Sequence, residues 1–411
     1  MIVMEWIYLD NNATTQPAAE VVDAMDEVQR KLWANPSSVH RFGQMVRHRV
    51  EQARASVASL ISARPREIVF TSGGSEANNL ALTGVLSAGP GGKDPGPGRK
   101  LKVLVTARTE HSAIREPAEV LGNSGVDVIY LPVDSTGRVD PADLRRLLDE
   151  QPGEVGRVLA SIQWANNETG VIQPVAALAQ VCEDARRAGS PVLFHCDATQ
   201  AVGKIPVDVG SAGIDLMTLS AHKFHGPKGV GALYVRRGAR VHRQIHGGPQ
   251  ERERRGGTEN TAGIVAMGVA ADLAGRFVAD CDAIAKLRAW RDRFEQGICR
   301  QLPGTVVNSK TADPLGRIWN TSNLGFARLE AEAILLGLSE RGLCASAGAA
   351  CSTGSLEPSP VLLAMGIAEP VAHGSVRISL SRMTTLEQID QATAILPDVV
   401  RRVAQSMRVG V

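Results

Sequence analysis

The feature that most constrains the fold is an alternation running through residues 67–235. Short apolar, β-branched runs occur at EIVF (67–70), KVLVT (102–106), VDVIYL (126–131), RVLASIQ (157–163), PVLFHCD (191–197), IDLMTLS (214–220) and GALYV (231–235). Amphipathic stretches such as 76–86, 141–148 and 175–188 lie between them. Strands apolar on both faces are strands covered by helices on both sides. The pattern therefore predicts an α/β domain with a mainly parallel sheet, joined by right-handed crossovers. After about residue 263 the texture changes. A long helical run over 264–302 leads into a second α+β segment that includes RIWNTSNLGF and SVRISLS. A domain boundary is expected near 262, with the first dozen or so residues folding back onto the carboxyl-terminal domain.

Composition narrows the class. The 411 residues suffice for two domains with large cores, and 44% are hydrophobic, an ordinary globular share. Lys plus Arg number 45 and Asp plus Glu 43, a formal net charge of +2, which gives no case for a nucleic-acid or anionic membrane partner. The basic cluster Arg252, Arg254 and Arg255 is interleaved by Glu251 and Glu253 and reads as a site feature or a solvated loop. The amino terminus carries no basic leader, and no uninterrupted apolar run approaches a membrane span. Six cysteines without a C-x-x-C pair argue against a disulfide scaffold or structural zinc, and suit a reducing cytoplasm. The Gly/Pro-rich stretch 88–100 reads as an exposed loop.

Open α/β sheets bind ligands beyond the carboxyl ends of their strands, so polar residues directly after the apolar runs are the candidates. EIVF is followed by Thr71-Ser72-Gly73-Gly74-Ser75-Glu76 and then a helical pattern. Small residues at such a turn form either a phosphate cradle or a plain helix cap. Neither nucleotide-binding glycine signature is matched. Asp197 ends an apolar strand, with Gln200 on the next turn; a protonated ring nitrogen or the turn itself would satisfy its carboxylate. Ser220-Ala221-His222-Lys223 follows the next strand, and a desolvated lysine there can serve as a Schiff-base amine. Lys228, inside the glycine turn, is expected to face solvent. His222 and His225 lack an evident third ligand, so no metal site is expected. A phosphate cradle, an acid for a ring nitrogen and a Schiff-base lysine on successive strand ends are what pyridoxal phosphate requires.

These residues resemble the cysteine desulfurase family, within the fold-type I, class-V aminotransferase-like enzymes. The matching motifs span nearly the whole chain: YLDNNATTQP (8–17), NPSSVHRFG (35–43), FTSGGSEANNLA (70–81), TEHSA (109–113), NNETG (166–170), HCDATQAVGK (195–204), SAHKFHGPKG (220–229), HGGPQERERRGGTEN (246–260) and SAGAACSTGSLEPS (346–359). The resemblance implies a large domain over 15–262 with a seven-stranded, mainly parallel sheet. It implies a smaller α+β domain, 1–14 with 263–411, that carries a catalytic cysteine loop. By motif, Gly74, Ser75, Ser220 and His222 hold the cofactor phosphate, and Thr258 reaches the phosphate of a neighbouring subunit in a homodimer. His111 stacks on the ring and moves protons, Asn167 and Gln200 bond the ring hydroxyl region, and Asp197 bonds the ring nitrogen. Lys223 carries the cofactor. Asn167 and Arg377 meet the substrate L-cysteine, Arg377 through its carboxylate.

Cys351 corresponds to the catalytic cysteine. It lies among Ala, Gly and Ser, between a helical segment ending near Leu343 and another beginning near Ser359. Cys344 competes on composition alone; the resemblance favours Cys351. Cys182 and Cys196 read as buried, inert thiols. The implied chemistry is removal of the α-proton by Lys223 and capture of the substrate sulfur by Cys351 as a persulfide, leaving alanine, with delivery to an acceptor such as an iron–sulfur scaffold. Trp164 and the long 88–100 stretch depart from the common pattern without touching an assigned role. A selenocysteine or cysteine-sulfinate lyase would depend less on Cys351, an aminotransferase would yield pyruvate, and a scaffold would need neither Lys223 nor Cys351.

Overall fold

The computed structural model describes residues 6–86, 101–150, 155–313, 315–348 and 357–407. The stretch 88–100 and Cys351 lie outside them. In chain order the strands are β1 (Ile7–Tyr8), β2 (Ile68–Thr71), β3 (Leu101–Ala107), β4 (Asp127–Leu131), β5 (Val155–Ser161) and β6 (Val192–Asp197). They continue with β7 (Leu216–Ser220), β8 (Gly231–Val235), β9 (Val306–Val307), β10 (Thr321–Gly325), β11 (Leu343–Cys344) and β12 (Ser375–Ser379). Seven form one sheet in the order β2-β8-β7-β6-β5-β3-β4. All its pairings are parallel except those of β8, which runs against both neighbours. Each of the seven apolar runs became one strand of this sheet.

Both faces of the sheet are covered, which is why the runs do not alternate with polar residues. Ile68, Phe70, Val103, Val105 and Phe194 enter one core with the helices Arg41–Leu60 and Val175–Arg187. Val69, Leu104, Leu159 and Leu233 enter the core on the opposite face, under the helices Gly74–Leu86 and Ser112–Asn123. The period-two direction of strand side chains divides the residues this way.

The helical run expected over 264–302 is two helices, Thr261–Ala279 and Cys281–Gln301, parted at Asp280, whose side chain caps the second by accepting from Ala283 N at 2.9 Å. The change of texture near 262 does not coincide with a change of core. Ile264, Met267, Ala270 and Ala274 pack into the first core, and residues of the second core begin at Leu287 in this part of the chain. The first helix is apolar enough in composition to cross a membrane, yet it packs against the helices Ala19–Lys31 and Arg41–Leu60. The second core holds Phe294, Ile298, Leu324, Ile334, Val376, Ile378 and Leu396 under the antiparallel sheet β12-β10-β9. Ile7 and Leu9 belong to it: β1 pairs in parallel with β11, and Ser379 N donates to Leu9 O at 2.7 Å. Leu343 is thus in a strand and not at a helix end; the preceding helix, Ala331–Glu340, stops before it.

Candidate active site

The parallel strands deliver their carboxyl ends to one edge of the sheet, and there a cavity of about 430 Å³ opens between the two cores. Gly74, Ser75, His111, Asn167, Asp197, Gln200, Ser220, His222, Lys223 and Arg377 all line it. Thr258 does not. It lines a neighbouring cavity of about 140 Å³ with Thr71, Ser72, Glu251, Arg255 and Asn260.

At one end the helix Gly74–Leu86 begins against β7. A Cβ at Gly74 would stand 3.3 Å from Thr199 Oγ1 and 3.5 Å from Ser220 Cβ, so the glycine permits this approach. Ser220 Oγ and Thr199 Oγ1 are buried and have no hydrogen-bond partner among the described residues. Two orphaned hydroxyls beside a helix amino terminus are a donor set that suits a phosphate. His222 Nδ1 lies 3.1 Å from Thr14 Oγ1, and burial with the nearby Lys223 pulls its pKa down to about 4, so the ring is neutral at pH 7. The helix is pinned from outside by Arg255, whose Nε donates to Glu76 Oε1 at 2.9 Å. That gives the basic cluster a role: Arg255 braces the cradle, while Arg254 donates to Arg66 O at 2.9 Å.

The segment before it is strained. Glu251, Arg252 and Glu253 have φ of 47°, 56° and 64°, three successive non-glycine residues in the left-handed region. Each such residue costs roughly 1–2 kcal/mol. A buried ion pair holds the turn: Arg54 donates to Glu251 Oε2 at 2.7 Å and Oε1 at 2.8 Å, and Phe70 N donates to Oε2 at 2.9 Å.

In the middle of the cavity, Asp197 accepts from Asn78 Nδ2 at 2.8 Å and Thr199 N at 3.0 Å. It therefore caps its own turn and also faces the cavity. Below it His195 is fully buried between Ser161 Oγ at 2.9 Å and Thr218 Oγ1 at 3.2 Å, and burial pulls it down to about 4. Glu110, also buried, accepts from Gln163 N at 2.8 Å, and burial lifts its carboxyl well above the usual range. His111 caps the helix Ser112–Asn123, its Nδ1 accepting from Ala113 N at 3.1 Å. Lys223 Nζ rests on two carbonyls, Asn12 O at 2.7 Å and Ala13 O at 2.8 Å. Lys228 is exposed, as its glycine turn suggests.

At the far end Arg377 reaches in from β12. It donates to Asp10 Oδ1 at 2.7 Å, Asn167 O at 3.0 Å and Gly348 O at 3.1 Å, while its buried Nε has no partner among the described residues. Glu168, from the NNETG motif, accepts from Ser359 Oγ at 2.6 Å. Gly348 packs on the same carboxylate, which touches both described ends of the segment containing Cys351. Burial lifts the Glu168 carboxyl, against the Ser359 hydrogen bond and the Arg377 charge.

Sequence reasoning missed Asn12, Asn78, Glu110, Gln163, Glu168 and Thr199, all of which line the cavity. Asn12, Asn78, Glu110, Glu168 and Thr199 all stood inside the motifs, but the side-chain partners of the first four are remote in sequence. Among the other thiols, burial pushes Cys182 up to about 12 and Cys196 well above its ordinary range, as inert core thiols require. Cys344 is half-buried in β11.

The orphaned hydroxyls, the cavity-facing Asp197 and Lys223 in the same cavity fit pyridoxal phosphate. A family model described as aminotransferase class-V matches residues 7–392. The chain is 45% identical over 399 residues to cysteine desulfurase 2 of Trichormus variabilis, covering 97% of this chain and 94% of that protein. It is 42% identical over 395 residues to the cysteine desulfurase NifS of Azotobacter vinelandii, covering 96% and 92%. Among solved structures, one described as a NifS-like protein superposes with a TM-score of 0.85 at 31% identity, covering 97% of this chain and all of that one.

Proposed function

The chain belongs to the class-V aminotransferase family and is a pyridoxal-phosphate-dependent cysteine desulfurase, and on that premise we propose which residues carry the reaction and where the sulfur goes. The observation that supports the assignment most strongly is convergence: the assigned residues of five further motifs, 37 to 303 positions from Gly74, line one cavity with it. Gly74, Ser75, Ser220 and His222 hold the cofactor phosphate, Asp197 the ring nitrogen, and Asn167 with Gln200 the ring hydroxyl. Bound there, pyridoxal phosphate supplies an electron sink for negative charge developing at the substrate Cα.

Lys223 anchors the cofactor and takes the α-proton of L-cysteine. Its perch on the carbonyls of Asn12 and Ala13 keeps the amine within the cavity between these duties. Arg377 binds the substrate carboxylate through Nε, the guanidinium N–H that Asp10, Asn167 O and Gly348 O leave unpaired among the described residues. His111 moves the proton of the substrate thiol. The Cys351 thiolate forms an S–S bond to the substrate sulfur as the Cβ–S bond breaks. The electron pair passes to Cβ, which takes a proton, so the products are L-alanine and a persulfide on Cys351.

The protein acts as a homodimer in the cytoplasm, with Thr258 contributing to the partner's site, and passes sulfur to an acceptor protein such as an iron–sulfur scaffold. The surface supports the dimer: Trp33 and Val39 are 71% and 94% exposed, and Trp33 stacks edge-on to Phe42 at 5.2 Å. This apolar segment follows the helix Ala19–Lys31, which packs on Thr261–Ala279 just beyond Thr258. The test compares wild type with Cys351→Ala for cofactor absorbance and for alanine and sulfide released from cysteine with reductant present. Cofactor in both with turnover only in wild type is expected. Equal turnover would exclude the persulfide route.

A further inference from the structure

We propose that Lys204 is a positioning residue of this site: its buried amine fixes the carboxamide of Gln200 so that the cavity meets an N–H donor and not the amide oxygen. The inference rests on the cofactor reading given above. Lys204 follows Gln200 by four residues in the helical turn after β6, where Lys204 N donates to Ala201 O at 3.0 Å. Residues four apart on such a turn stack on one side. The turn can approach the lysine segment because Gly203, at φ 76°, has no side chain: a Cβ there would stand 2.5 Å from Phe224 Cβ. Trp319 Nε1 holds the Lys204 carbonyl at 2.8 Å.

Lys204 is 4% exposed, and its amine donates to Asn12 Oδ1 at 2.9 Å and to Gln200 Oε1. The charged groups that act on it are Lys223 and Arg377, both cations; together with burial they push it well below its ordinary range. Both partners are acceptors, so the amine donates to each. Gln200 Nε2 in turn donates to Asn12 O at 3.0 Å, the carbonyl that also receives Lys223 Nζ at 2.7 Å. A flipped carboxamide would set Oε1 against that carbonyl, acceptor against acceptor, and would take from the Lys204 amine the oxygen it donates to. The network therefore fixes one orientation. In it Gln200 keeps a second N–H for the cavity, where it stabilises an anionic oxygen on the cofactor. Neither Lys204 nor Asn12 needs to touch the reacting atoms for this to matter.

The test loads apoprotein with pyridoxal phosphate and follows the visible absorbance against pH, in wild type, Lys204→Met, Gln200→Ala and the double variant. Losing the donor lets the cofactor oxygen hold its neighbouring proton more tightly. The midpoint is therefore expected to rise by about one pH unit in Lys204→Met, the size of one charge-assisted hydrogen bond. Gln200→Ala should rise similarly, and the double variant no further than Gln200→Ala, because Lys204 acts through Gln200. A folded Lys204→Met protein with the wild-type midpoint overturns the assignment, as do additive shifts in the double variant. Should Lys204→Met not fold, Lys204→Arg decides: it keeps donors for both acceptors, so a midpoint within about 0.2 unit upholds the proposal and a full-unit shift overturns it. A wild type with no visible band overturns the cofactor reading itself, and the Lys204 role with it.

Discussion

Replacing Gly348 by alanine should separate the two halves of the reaction. A Cβ at this position would stand 2.1 Å from Glu168 Oε2 and 2.7 Å from its Cδ, where ordinary contact begins near 3.4 Å. The Glu168 carboxylate must therefore withdraw by about 1.3 Å, or Gly348 must move away from it by as much. Either shift breaks the 2.6 Å hydrogen bond from Ser359 Oγ or the 3.1 Å bond from Arg377 to Gly348 O. Ser359 also caps the helix Pro360–Ala364, accepting from Val361 N at 3.2 Å. One buried hydrogen bond to a charged group is worth about 1.5–3 kcal/mol. Gly348 and Ser359 flank the segment that carries Cys351, so the loss is expected as misplacement of the thiol, slowing sulfur transfer roughly 10- to 100-fold. Proton removal at Cα depends on Lys223, whose carbonyl perch at Asn12 and Ala13 is untouched, and on Arg377, which keeps its bonds to Asp10 and Asn167 O. The assay follows exchange of the L-alanine α-proton in D₂O by NMR, beside single-turnover persulfide formation from cysteine. Exchange should stay within about twofold while persulfide formation falls. Equal losses in both, or no loss in persulfide formation, would refute the reasoning.

Two further outcomes are expected. His195, His222 and His225 are each drawn from 6.5 to about 4 by burial, so below pH 6.5 the unfolded chain binds protons that the fold refuses. Their contribution is complete above pH 6.5 and is lost as pH falls towards 4; urea unfolding should show a decline of a few kcal/mol across that window, and a flat profile would contradict it. Arg54→Met leaves the Glu251 carboxylate buried without its cation and should cost about 3–5 kcal/mol by thermal or urea unfolding, with Glu251→Gln added on top recovering part of it. A loss below about 1 kcal/mol would show that the pair does not hold the left-handed turn.

The seven central strands were legible because burial on both faces leaves a local mark, a continuous apolar run. The strand-end residues were legible for a related reason: Asp197 and Ser220 end such runs and Lys223 comes three residues after one, where a polar group has no packing role. The two-residue strands β1 and β11 left no mark, since each exists only through its pairing with the other, more than 330 residues away. The break at Asp280 rests on one capping carboxylate inside a long helical pattern, and the 19 residues before it read as one domain by texture yet pack into the other core. Asn12 and Lys204 were written within motifs, but their use depends on hydrogen bonds to residues 155 to 367 positions away in one case and on a buried carboxamide in the other. Patterns of a few residues cannot report such partners.

The bond between Ser379 N and Leu9 O joins residues 370 positions apart, and the lysine perch at Asn12 lies three residues beyond it. On a ribosome adding about 5–20 residues per second, the segment 7–13 emerges early and then waits roughly 20–70 s for β12 to be made. Lys223 is synthesised well before that, yet the backbone on which its amine rests gains its bonds to β12 later than those to Gln200 and His222. The site is thus complete only once β12, which also carries Arg377, has joined the amino-terminal segment.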